Sequence, residues 1–78
     1  MNEYRLGQRL SNREIEVLML LSKGEQLNQL PLYLHVTFGV ARNYARSARI
    51  KLGATTNAHA VRLAIEKGYI KVGQELVE

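Results

Sequence analysis

Three glycines, Gly24, Gly53 and Gly68, close helix-like runs, and each run opens on a side chain able to cap a helix. This punctuation constrains the chain most, because it fixes where helices begin and end before any packing is considered. The first run is the clearest. Ser11 followed three residues later by Glu14 is a capping box, in which each side chain satisfies an amide left free at the helix start. Leu10 stands at the staple position before the cap and faces Ile15. Ile15, Val17, Leu18, Leu20 and Leu21 recur at helical spacing, although the run is apolar nearly all round. Lys23 then places a cation near the last carbonyls, and Gly24 accepts the left-handed conformation that ends a helix. The pattern predicts a helix over 11–23.

The next stretch is less direct. Leu30, Leu32 and Leu34 alternate as in a strand, but Pro31 argues against the interior of a strand or a helix. With Asn28 as N-cap, Pro31 falls in a first helical turn, where amides have no intrahelical partner and proline costs little. A short helix is expected over 29–35. Thr37 caps a third helix over 38–52, which Gly53 stops. Asn57 or Thr56 caps a fourth over 57–67, with Val61, Ala64 and Ile65 as its apolar stripe. Four helices with short links make a small all-α domain, and the second and third together outline a helix-turn-helix. The expected organisation is a lead-in over 1–9, the domain over 10–70 and a tail over 71–78. Ile70, Val72, Leu76 and Val77 give that tail some apolar character.

With 78 residues, the chain holds one small domain with a modest core. It has no cysteine, which excludes disulfides and thiolate metal sites and suits a reducing cytoplasm. No apolar stretch approaches the roughly 20 residues of a membrane span, and the N-terminus is no signal peptide. His35 and His59 stand alone, without metal-ligand spacing. Ser11 and Ser22 have no base nearby, and aspartate is absent. No catalytic constellation emerges, so neither enzyme activity nor a cofactor is expected.

The formal charge is +4, and its distribution matters more than its total. Glu25 and Glu66 are consecutive acids, and between them lie Arg42, Arg46, Arg49, Lys51 and Arg62. A basic middle between acidic ends fits a polyanion binder, and equally a solvated face if charge alone is weighed. The helix-turn-helix outline tips the balance to duplex DNA. Arginine reads guanine through two hydrogen bonds and asparagine reads adenine the same way. Arg42, Asn43 and Arg46 lie in the N-terminal half of the second helix of the motif, the half that enters the major groove. Arg49 and Lys51 lie further along, where phosphate or water would meet them. Thr37 is a helix cap whose hydroxyl and amide also suit a phosphate, and Asn28 is the matching case one helix earlier. Tyr44, in apolar company, reads as core.

The run Leu10-Ser11-x-Arg13-Glu14-x-Glu16-Val17-Leu18-x-Leu20-Leu21-x-x-Gly24 resembles the opening of the LuxR (GerE-like) helix-turn-helix domain. Lys51-Leu52-Gly53-Ala54 resembles the close of its recognition helix, and Ala60-Val61 with Gly68 its fourth helix. The spacing agrees without gaps from about Leu10 to Ile70. The resemblance implies a four-helix fold, DNA binding as a homodimer through helix 4, and control of bacterial transcription. Carried over by position, Arg42, Asn43 and Arg46 match base-reading residues and Thr37 a residue near a phosphate. Ala60, Val61 and Ala64 match the dimer surface. Most family members carry a sensing or receiver domain ahead of this one. Here about nine residues precede the match, so the expectation is either a free-standing regulator, which the starting methionine favours and which would have no signal site of its own, or a fragment.

The chain departs from the family pattern at several points. Gln26-Leu27-Asn28-Gln29-Leu30-Pro31 lacks the lysine and glutamate usual before helix 2, and Val40-Ala41 replaces a Thr-Val pair. Asn57 and His59 replace arginine and glutamine, and Gly39 weakens the start of helix 3 by up to about 1 kcal/mol relative to alanine. Fewer backbone anchors imply weaker DNA affinity, or help from a partner. A competing expectation is a protein-binding antagonist or co-regulator that reuses the fold to bind another transcription regulator or RNA polymerase. Pro31, Val40 and the missing lysine favour it, and the acid-free basic face opposes it.

Overall fold

A computed structural model describes residues 5–71. These residues hold four α-helices and no strand: α1 (Asn12–Ser22), α2 (Leu30–Leu34), α3 (Phe38–Leu52) and α4 (Asn57–Glu66). The termini follow from local chemistry. Ser11 Oγ accepts from the Glu14 amide at 3.2 Å while Glu14 Oε1 accepts from the Ser11 amide at 2.8 Å, which is the expected capping box. Thr37 Oγ1 accepts from the Val40 amide at 3.2 Å and starts α3. At α4 the cap is Thr56, whose Oγ1 accepts from the His59 amide at 3.0 Å, so of the two candidates there Asn57 is already helical. Gly24, Gly53 and Gly68 all stand at positive φ just beyond α1, α3 and α4.

The entry to α2 differs from expectation. Asn28 is not the N-cap; it lies inside a 3₁₀ turn over Leu27–Gln29, and no side chain caps α2. The turn bonds the Gln29 amide to the Gln26 carbonyl at 2.9 Å. Its tighter winding delivers the chain to α2 without a capping side chain. Pro31 sits at the second helical position, where the reasoning about its missing amide holds. The alternation of Leu30, Leu32 and Leu34 resolves at helical spacing: Leu30 and Leu34, four apart, are buried, and Leu32 between them is exposed. Residues 35–37 form the turn of the motif. His35 takes the left-handed conformation (φ 58°) and its amide bonds Pro31 O at 2.8 Å.

Two apolar clusters fill the interior. Leu10, Leu18, Ala48, Leu52, Ala60, Ala64 and Ile70 join α1, α3 and α4. Val17, Leu30, Leu34, Ala41 and Ala45 join α1, α2 and α3, with Tyr44 packed half-buried against them. The buried positions of α3 and α4 are mostly alanine, so these helices approach their neighbours closely. The Leu10 staple is buried and Ile15 packs against the same cluster. The expected tail over 71–78 falls outside the described residues beyond Lys71, as do residues 1–4 of the lead-in. No helix among the described residues is long and apolar enough to cross a membrane.

Candidate nucleic-acid interface

The candidate residues lie mainly on α3, whose orientation is set from inside. Glu14 on α1 is buried, and besides its capping role it holds α3 at two points. Lys51 Nζ donates to Glu14 Oε1 at 2.8 Å, and the Ser47 hydroxyl makes a short hydrogen bond to Glu14 Oε2. Burial pushes the Glu14 carboxyl up, but the hydrogen bonds from Lys51, Ser47 and the Ser11 amide, with the charge of Lys51, outweigh it and leave the group below its ordinary range. Arg13 adds a third tie, from α1 to the end of α2, by donating to Leu34 O at 3.2 Å.

Lys51 is therefore not on the outer face. The expectation that it meets phosphate is corrected: its side chain is 7% exposed and faces Glu14. The phase of the helix explains this. Lys51 lies nine residues beyond Arg42, which at about 100° per residue places the two on opposite sides. It shares the stripe of Tyr44 and Ala48, not that of the arginines, and this spacing was present in the sequence. The Glu14 partner left no such mark, since a pair 37 residues apart has no local signature.

Arg42, Asn43 and Arg46 are exposed together along the outer face of α3. Among the described residues no carboxylate pairs with Arg42, Arg46 or Arg49. Arg62, the other cation of the basic middle, pairs with Glu66 at 2.8 Å. Arg49 is half-buried, and its Nη1 donates to Asn57 Oδ1 at 2.5 Å, which ties α3 to α4. Thr37 is exposed at the leading end of α3, and Asn28 is exposed in the 3₁₀ turn. The structure thus groups Arg42, Asn43 and Arg46 on one face of α3, leaves Thr37 exposed at its leading end, and sets Lys51 apart from them.

The dimer surface read from α4 also needs correction. Ala60 and Ala64 are fully buried in the protomer's own core, against α1 and α3, so neither is available to a second copy. Their four-residue spacing marks the inward face of α4. Val61 is half-buried and borders an open groove with Leu21, Ser22, Asn57 and Ala58. His59 has a structural place, with Nδ1 accepting from the Thr55 amide at 3.2 Å.

Within the motif itself lie exposed apolar residues, of which sequence reasoning singled out only Val40. Leu32 (80% exposed), Tyr33, Phe38 and Val40 all face solvent on α2 and the first turn of α3. Tyr33 hydrogen-bonds Glu25, which holds its phenol above the ordinary value.

No family model matches the chain, and no solved structure matches it. Curated relatives do. The chain is 35% identical over 60 residues to a response regulator, RamR, of Streptomyces coelicolor, covering 77% of this chain and 30% of that protein. It is 34% identical over 65 residues to the transcriptional activator ExaE of Pseudomonas putida, covering 83% of this chain and 30% of that protein. It is 40% identical over 57 residues to the transcriptional activator BjaR1 of Bradyrhizobium diazoefficiens, covering 73% of this chain and 24% of that protein. The chain therefore spans less than a third of the length of these relatives. Opening block, recognition-helix close, four-helix architecture and relatives agree, and through this domain the chain belongs to the LuxR (GerE-like) helix-turn-helix family.

Proposed function

We propose that the domain binds duplex DNA with α3 in the major groove and serves transcription regulation as a homodimer. One observation carries the DNA reading. The outer face of the second helix of a helix-turn-helix presents Arg42, Asn43 and Arg46 together, with no acid paired to either arginine among the described residues. These side chains carry the kinds of donor that pair with base edges in the major groove. In this reading Thr37, Arg49 and Asn28 meet phosphates, a role supported by the exposure of Thr37 and Asn28 and by the positive charge of Arg49. The relatives named as transcriptional activators support the regulatory role. The proposed dimer uses the outer side of α4 around Ala58 and Val61, since the inner side is occupied.

A second reading, docking of another protein, is favoured by Leu32 and Tyr33, two large side chains exposed on α2. Fluorescence anisotropy of labelled duplexes across a salt series separates the two. DNA binding predicts affinity that falls linearly on a log–log plot, with a slope of about 0.9 per phosphate engaged. Arg42→Ala should cost about 1–3 kcal/mol and relax sequence preference at one base pair. Absence of binding even at low salt would overturn the DNA reading and leave the protein-docking one.

A further inference from the structure

Five glycines fall among the described residues, and four of them have a backbone reason to be glycine. Gly7, Gly24, Gly53 and Gly68 stand at φ 86°, 95°, 75° and 86°. Gly39 has none. It is the second residue of α3, in right-handed helical backbone. A Cβ built there would meet Thr37 Oγ1 at 3.9 Å, an ordinary contact, and nothing closer. Neither conformation nor packing inside the domain asks for glycine at this point. Glycine there weakens the helix start, because it loses more backbone freedom on folding than any other residue.

The place of Gly39 on α3 suggests what it is for. It lies three and four residues before Arg42 and Asn43 and seven before Arg46, so it shares their face of the helix. Its neighbours Phe38 and Val40 are both large and exposed. The leading turn therefore carries a gap one side chain wide, in line with the arginines.

We propose that Gly39 is a positioning residue: its missing side chain lets the base pairs come against the first turn of α3, so that Arg42, Asn43 and Arg46 reach their edges. This rests on the DNA-binding reading above. The physical basis is one of fit. A helix with its side chains is about 10–12 Å across and the major groove about 12 Å wide, so one side chain on the leading turn decides how deeply the helix seats. Backbone contacts outside the groove depend less on that depth.

Gly39→Ala and Gly39→Leu test this in the full chain. The probes are a duplex selected by the wild-type protein from a pool with a randomised centre, and a scrambled version of it. Both variants should raise the melting temperature without DNA, by about 2–8 °C. Both should bind the selected duplex more weakly, Leu more than Ala, with a loss of about five-fold or more for Leu. Binding to the scrambled duplex and the salt slope should hold. A structural role alone would move stability and affinity in the same direction. Variants that melt higher yet bind the selected duplex as tightly as wild type would overturn the proposal, and so would variants that melt lower. If the wild type bound neither duplex, the DNA reading itself would fail and take this proposal with it.

Discussion

Replacing Lys51 with methionine isolates the interaction that orients the proposed reading helix. Methionine keeps the length and apolar stem but removes the ammonium 2.8 Å from Glu14 Oε1. The Glu14 carboxylate would keep the Ser11 amide and the Ser47 hydroxyl, but would stay buried without a counter-charge. Removing one partner of such a pair costs about 3–5 kcal/mol. A chain of this size has on the order of 4–12 kcal/mol of total stability. At about 4–8 °C per kcal/mol, a 3 kcal/mol loss lowers the melting temperature by roughly 12–24 °C, readily seen by circular dichroism. Adding Glu14→Gln should recover part of the loss, since glutamine still completes the capping box and no charge remains buried. The pH dependence adds a signed check. In the wild type the Glu14 carboxyl is lowered, so its stabilisation is present above the ordinary carboxylate value of about 4.3 and fades as pH falls through the folded-state value. Without Lys51, burial would dominate and protonation would relieve the strain, so the stability gap between Lys51→Met and wild type should narrow as pH falls towards 4. A cost below about 0.5 kcal/mol, the scale of an exposed pair, would refute this account. So would a gap independent of pH.

The backbone offers two further tests. His35 is exposed at φ 58°, so His35→Gly should raise stability by about 0.5–1 kcal/mol in urea titration, and a loss would mean that its side chain has an unrecognised role. Gly53→Ala should cost about 1–2 kcal/mol from its φ of 75°. Its Cβ would also fall 2.8 Å from Leu6 Cδ1, but Leu6 is exposed and can swing away, so adding Leu6→Ala should restore little. Ala60→Leu overfills the contact of α4 with the core and should cost about 1–3 kcal/mol in the same titration. Ala58→Glu, on the outer side, should leave the fold intact and weaken the proposed dimer in sedimentation equilibrium.

Most of the fold was legible because its signals are local. Ser11 with Glu14, Thr37, and the glycines after α1, α3 and α4 act within one turn, and α1, α3 and α4 begin and end within a residue or so of expectation. What was misread depends on facing. Lys51 counted as a cation beside arginines, whereas its helical phase put it inside. Ala60 and Ala64 were taken outward because a family position was carried over without asking which face the core needed; as alanines four apart they suit close helix packing. Asn28 is a good cap by type, but it lies inside the 3₁₀ turn that leads into α2, at whose start the Gln26 amide donates to Gln29 Oε1 at 3.5 Å. Arg42, Asn43 and Arg46 are exposed on one face, as their spacing required.

The position of α1 has a consequence for how the molecule comes apart. It supplies Leu18 to one apolar cluster and Val17 to the other, and Glu14 beneath them grips α3. Neither cluster can be opened without stripping the same helix, so the two halves have no separate unfolding transitions and the domain should melt as a single cooperative unit. In native-state hydrogen exchange, the amides around Val17 and Leu18 should exchange only through global unfolding. A peptide of α2 and α3 alone would lack the wall that both lean on, and should not hold the helix-turn-helix shape in solution.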